Sequence, residues 1–163
     1  MSRKFVDFLN EVAGIMYVGG ILSHIIIGAA VGATDGGTAT VIYEYKLISA
    51  YILILPGLAM KLMCDIALFT YWNERGRWMI VKLLCQAFLA VNAFVFLVPM
   101  MPKLLALAEA GDPSGPVSEA FHALEAKEAL VGMSNVIPLV TEILMGAFKP
   151  RLGQRSNTAG LAA

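Results

Sequence analysis

Apolar residues run along this chain in four long blocks separated by short polar connections. The first block is the clearest. Between Glu11 and Asp35 there is no Asp, Glu, Lys or Arg, and the stretch reads VAGIMYVGGILSHIIIGAAVGAT. At about 1.5 Å of rise per residue, a helix of that length crosses the ~30 Å hydrocarbon core of a bilayer. The pattern predicts spans over about 6–33, 47–72, 78–107 and 117–148. Asp35–Gly36–Gly37 is a turn signal, and so is Gly111–Asp112–Pro113–Ser114–Gly115–Pro116. The expected fold is all-α: a polytopic membrane protein whose four transmembrane helices form one antiparallel bundle over residues 1–150. The remainder, 151–163, is polar and rich in small residues, and is expected to be a disordered cytoplasmic tail. The first block is too long for the core of a cleaved signal peptide and is expected to be retained.

Composition fits the same solvent. Charged residues make up 15% of the chain, against roughly 25% in a soluble domain. Mean hydropathy is +0.73. Twelve basic and twelve acidic residues cancel, so charge points to no nucleic-acid partner and leaves the lipid bilayer as the expected one. Cys64 and Cys85 both fall in apolar segments and read as small buried hydrophobes, not as a disulfide.

Basic residues near the span ends set the orientation. Arg3 and Lys4, Arg75 and Arg77, and Lys149, Arg151 and Arg155 fall on one side of a four-span protein. The other two connections hold Lys46, Lys103 and Lys127. Both termini are therefore expected in the cytoplasm. Trp72, Trp78, Tyr43, Tyr45 and Tyr71 lie near predicted span ends, where amphipathic rings settle. Pro56 and Pro138 interrupt the second and fourth spans. Each is expected to bend its helix, with the bend absorbed by packing or opening a pocket.

A polar group inside a span needs a partner. His24 lies in one stripe with Gly20, Gly28 and Gly32, each four residues from the next. Small residues at that spacing let a neighbouring helix, or a flat ligand, approach the backbone. The imidazole then meets a hydroxyl or carbonyl, or it ligates a metal, with haem b the candidate cofactor. Its candidate axial partner is His122, the only other histidine, early in the fourth block. Glu119, His122 and Glu125 are spaced by three, which resembles half of a di-metal site. The same residues, with Glu128 beyond, also read as an entry turn whose charges face water. Asp65 and Lys82 flank the short second connection almost symmetrically, with Lys61 one turn before Asp65. They are expected to pair as a structural clamp, or to hold an anionic headgroup or a carboxylate ligand. Gly28 and Gly32 also form a G-x-x-x-G pair, which suits a homo-oligomer, a larger membrane complex or packing within the bundle equally well.

Several short segments carry a resemblance. Phe8–Leu9–Asn10–Glu11–Val12–Ala13–Gly14–Ile15–Met16–Tyr17–Val18–Gly19–Gly20 resembles the opening helix of a group of small four-span bacterial proteins. These are domain-of-unknown-function family 2269, the membrane domains of copper-resistance D-type proteins, and the four-helix protoporphyrinogen IX oxidases. Leu55–Pro56–Gly57, Val98–Pro99 and Ile143–Leu144–Met145–Gly146–Ala147–Phe148–Lys149–Pro150 are similar to the first of these. The resemblance covers roughly residues 5 to 150, and it implies the four-helix fold and a bacterial inner membrane. Asn10 stands where the oxidases carry a histidine, and Ile80 replaces the histidine of their Trp-x-His-x-Lys pattern. Lys82 is the one functional position of the oxidases that matches, and the resemblance implies a cofactor-binding role for it.

Three functional expectations stand together. The first is a non-catalytic scaffold or accessory bundle. The second is a haem- or porphyrin-binding redox protein that uses His24, His122, Gly20, Gly28 and Lys82. The third is a quinone or small-solute pocket at Asp65, Lys82 and Asn92. No phosphate-binding loop, nucleophile triad or dinucleotide fingerprint appears.

Overall fold

A computed structural model describes residues 2–150; the expected tail over 151–163 lies outside the described residues. The described residues form helices and no strand. Four of the helices are long and apolar enough to cross a membrane: α1 (Arg3–Ala30), α2 (Gly36–Tyr71), α3 (Arg77–Glu109) and α4 (Glu119–Phe148). The chain is a multi-pass helical bundle. Its outer surface is apolar: Ile15, Ile26, Ile137 and Phe148 are all exposed. That inversion suits lipid, which removes the cost of displaying such residues.

α2 starts eleven residues before the predicted 47, at Gly36. Asp35 caps it: its Oδ1 accepts the Thr38 backbone N–H at 2.8 Å, and its Oδ2 accepts the Thr38 hydroxyl. The same bonds, with one from the Thr34 hydroxyl, hold the Asp35 carboxyl below its usual pKa. The first and third connections meet at this end of the bundle. Gly36 N–H donates to the Gly115 carbonyl at 3.1 Å, and Gly37 N–H to the Pro113 carbonyl at 2.9 Å. A Cβ at Gly36 would stand 2.6 Å from the Asp112 carbonyl oxygen, so only glycine allows the approach.

Irregular backbone precedes three of the prolines. Ala50–Ile54 in α2 and Asn92–Leu97 in α3 are π-helical, just ahead of Pro56 and Pro99. Without an N–H, proline cannot close its own helical bond, and the chain widens by one residue to recover the register. In α4 the break falls at Asn135, ahead of Pro138, where Asn135 N–H bonds back to Gly132. Asn92 ties two of these sites together. Its Nδ2 donates to Ser134 Oγ at 3.2 Å and to Asn135 Oδ1 at 2.6 Å. Asn92 thus supplies a polar contact at the helix break that precedes Pro138.

Each helix packs chiefly on its chain neighbours. The core lies in three layers: Val6, Cys64, Leu68 and Met79 at the end bearing the N-terminus; Tyr17, Leu58, Leu89 and Ala93 in the middle; and Ala39, Ile42, Tyr43, Leu104 and Phe121 toward the capped loops. α1 and α2 approach closely at Gly57. A Cβ there would lie 2.8 Å from the Tyr17 nitrogen and 3.0 Å from the Ala13 carbonyl oxygen. The glycine stripe on α1 packs only in part. The Cβ position of Gly20 is filled by Ile54 of α2, whereas Gly28 and Gly32 face open space.

Candidate functional site

The feature that stands apart from packing is a groove between α1 and α4, about 680 Å³ in volume. Its walls are Gly14, Ile15, Val18 and Gly19 from α1, and Leu139, Ile143, Gly146 and Ala147 from α4. Lys61 and Asp65 of α2, Lys82 of α3, Glu142 of α4 and Asn10 of α1 line its floor. Periodicity places them there. Lys61 and Asp65 are one turn apart on α2, and Lys82 and Gln86 are one turn apart on α3, so each pair looks the same way.

Asp65 is the centre of the floor and is fully buried. Lys82 Nζ lies 2.7 Å from both carboxylate oxygens. Asn10 Nδ2 donates to Oδ1 at 2.5 Å, and Gln86 Nε2 donates to Oδ2. The same Gln86 nitrogen donates to Glu142 Oε1 at 3.0 Å and so joins the two carboxylates. Lys61 Nζ bonds Asn10 Oδ1 at 3.1 Å and stands 3.4 Å from Glu142 Oε1. Two lysines face two carboxylates, so the floor is formally neutral, the arrangement that a low-dielectric interior tolerates. Two acceptors stay open: Glu142 Oε2 and Gln86 Oε1 are buried and have no hydrogen-bond partner.

At the mouth, Glu74 in the second connection accepts from Arg3 of α1 and lies 3.7 Å from Lys149 after α4. Lys149 also sits 5.2 Å over the Trp78 ring. Asp7 adds a looser contact to Arg3 at 3.8 Å. These charges clasp the two helices that the groove separates.

A second charged cluster sits in the other half of the bundle. Lys46 Nζ lies 3.1 and 3.2 Å from the two oxygens of Glu128, and the Tyr43 hydroxyl donates to Glu128 at 2.7 Å. Lys46, expected in a connection, is thus inside α2 and buried; Glu128, expected to face water, is buried with it. A lone lysine on a helix that continues past its apolar window gave no sign of its partner 82 positions away.

The two histidines have separate surroundings. His24 packs edge-on against Tyr45 at 6.4 Å, with Nε2 buried and unpartnered. His122 is exposed, and its Nδ1 lies 3.6 Å from Glu125. Among the described residues no cluster of three or more His, Cys, Asp or Glu side chains could hold a metal. With Ile54 filling the space at Gly20, the turn before His24 has no slot for a macrocycle. Gly28, on the turn after His24, meets nothing within 4 Å, so packing closes one side of the imidazole and leaves the other open. Asn92 lies in the Ser134–Asn135 contact and is not among the residues lining the groove. Ile80, at the position of the oxidase histidine, is 46% exposed on the outside of the bundle.

Gln86 and Glu142 are the site residues that sequence reasoning missed. Glu142 did carry a signal, being the one charge in Val136–Phe148. Comparison with protein-family models, curated proteins and solved structures yields no match to this chain. The case for function therefore rests on its own residues.

Proposed function

We propose that this chain is a bacterial inner-membrane protein with both termini in the cytoplasm, and that it binds a small amphipathic molecule in the groove between α1 and α4. The polar head meets the floor formed by Asn10, Lys61, Asp65, Lys82 and Glu142; the apolar body lies along Ile15, Val18, Leu139 and Ile143. The observation that carries this reading is a groove of ligand size with buried charges in its floor. Small-molecule sites run to roughly 300–1,000 Å³; this groove falls in that range, and its lining is about half polar or charged and half apolar. A bundle that served only as a scaffold gains nothing from keeping fully buried charges beside an open groove, because well-packed apolar residues are often as stable. The orientation is supported by Arg3, Arg75, Arg77 and Lys149, which share one end of the bundle, while burial of Lys46 removes a basic residue from the opposite loops.

Native mass spectrometry of the protein released from its own membranes tests the binding reading. A non-covalent small-molecule adduct is expected on the wild type. It should be lost in Ile15→Trp, which fills the groove from an exposed wall position and touches none of the floor. The absence of an adduct, or one that persists in Ile15→Trp, would overturn it.

A further inference from the structure

The groove floor has an acceptor to spare, with a second, on Gln86, behind the lining residues, and this selects its ligand. Glu142 is fully buried and lines the groove, yet only Oε1 is occupied, by Gln86 and Lys61; Oε2 has no partner. Gln86, also fully buried, spends its amide nitrogen on Asp65 and Glu142 and leaves Oε1 open beside them. A buried acceptor without a donor costs free energy that a ligand can recover by donating to it. The head must therefore carry O–H or N–H.

Charge narrows the choice. Lys61 and Lys82 already balance Asp65 and Glu142. An ammonium head would enter beside two lysine ammoniums and leave the floor itself with excess positive charge; Asp7 and Glu11, which also line the groove, lie nearer its mouth on α1 and would hold a cation there and not at the floor. A carboxylate head would add a third anion and no donor for Glu142 Oε2. A neutral hydroxyl brings the donor and no net charge, which is the cheapest addition within a membrane. Shape agrees. Gly14, Gly19, Gly146 and Ala147 keep the walls low, and a Cβ at Gly19 would meet nothing within 4 Å.

Building on the proposed groove, we infer that its ligand is a neutral amphiphile with a hydroxyl head, of the phenol or long-chain alcohol kind, whose O–H donates to Glu142 Oε2 once a lining side chain swings aside, since the carboxylate has no accessible surface in this structure. The chemistry needs the hydroxyl donor and rejects its ether or carbonyl counterpart. The test uses full-length protein in detergent and follows Trp78 fluorescence in a Trp72→Phe background. The probes are 4-nonylphenol, 4-nonylanisole (the same body with the donor methylated) and decylammonium. The phenol is expected to bind roughly ten- to hundredfold tighter than the anisole, the span of a hydrogen bond to a charged group. It is also expected to outbind decylammonium. Equal binding of phenol and anisole, both abolished by Ile15→Trp, would overturn the donor requirement and leave the groove reading standing. Tighter binding of decylammonium would assign the site to cations and overturn the inference. Binding of neither nonyl probe would overturn the inference, and an adduct seen on the wild-type protein by mass spectrometry would then show that the groove itself still binds.

Discussion

Replacing Asp65 with asparagine should be the most damaging isosteric change in this protein. The substitution keeps shape and removes the charge that Lys82 contacts at 2.7 Å through both oxygens. It also swaps one acceptor for an NH₂ group that faces the Asn10 or Gln86 donors. Lys82 is buried and has no second carboxylate among its partners, so it is left as an uncompensated ammonium. Removing one member of a buried pair costs about 3–5 kcal/mol. Lys82→Met leaves Asp65 ionised and buried, and should cost a similar amount. The double variant removes both charges and should recover part of that loss, with a coupling of about 2–3 kcal/mol, at the upper end of the range for residues in one salt-bridge network. Reversible unfolding in mixed micelles, followed by circular dichroism, measures all four corners of the cycle. Neutral hydrogen bonds between membrane helices average only about 0.6 kcal/mol. A coupling of that size, or simple additivity, would refute the claim that a buried ion pair organises the floor.

Other outcomes can be stated more briefly. Gly57→Leu drives a side chain against the Tyr17 nitrogen and the Ala13 carbonyl, so it should cost about 1–3 kcal/mol or more in the same unfolding assay. A stability equal to wild type would show that α1 and α2 do not touch there. Tyr43→Phe deletes one donor to the Glu128 carboxylate while Lys46 remains, and should cost about 1.5–3 kcal/mol; a loss beyond that, near the ~3–5 kcal/mol of a broken buried ion pair, would mean that the tyrosine organises that cluster. Asp35 has a folded pKa below its unfolded value of 3.8, so its stabilisation is present above that pH and fades as pH falls through the folded pKa. The difference in melting temperature between wild type and Asp35→Ala should stay constant from neutral pH down to about one unit above that value and shrink below it; a gap that grows toward acid would reverse the assignment.

Some of this structure was legible in the chain and some was not, for physical reasons. The four spans follow from length and apolarity, which the membrane imposes directly. The N-terminal part of α2 was missed because Thr38, Thr40, Glu44 and Lys46 lower its apolarity; the Asp35 cap and packing on α3 make it helical all the same. Asp65, Lys61 and Lys82 stood out because a charge in a span demands a partner. The identity of that partner depends on helix rotation, which no spacing within one helix fixes. Glu142 therefore joins Lys61 from 81 positions away without any local trace. The glycine stripe around His24 was legible as a face but not as a contact. Spacing put Gly20, Gly28 and Gly32 on one face, but α2 covers only the first of them. The proline irregularities were half legible: Pro56 and Pro138 were expected to bend their helices, while the π-helical register ahead of Pro56 and Pro99 depends on how the neighbouring helices pack.

Cysteine accessibility addresses the groove between α1 and α4 most directly. Gly14 lines it, with a would-be Cβ 3.6 Å from Lys61 Nζ. Phe8 lies nearer the helix end, is 61% exposed and is not among the lining residues, so it sits on the outer surface of the bundle, away from the groove. In a background with Cys64 and Cys85 changed to alanine, a water-soluble maleimide should label Gly14→Cys faster than Phe8→Cys, although Gly14 is deeper. Labelling that simply follows depth, with Phe8→Cys the faster, would mean that no polar groove enters the bundle from this end.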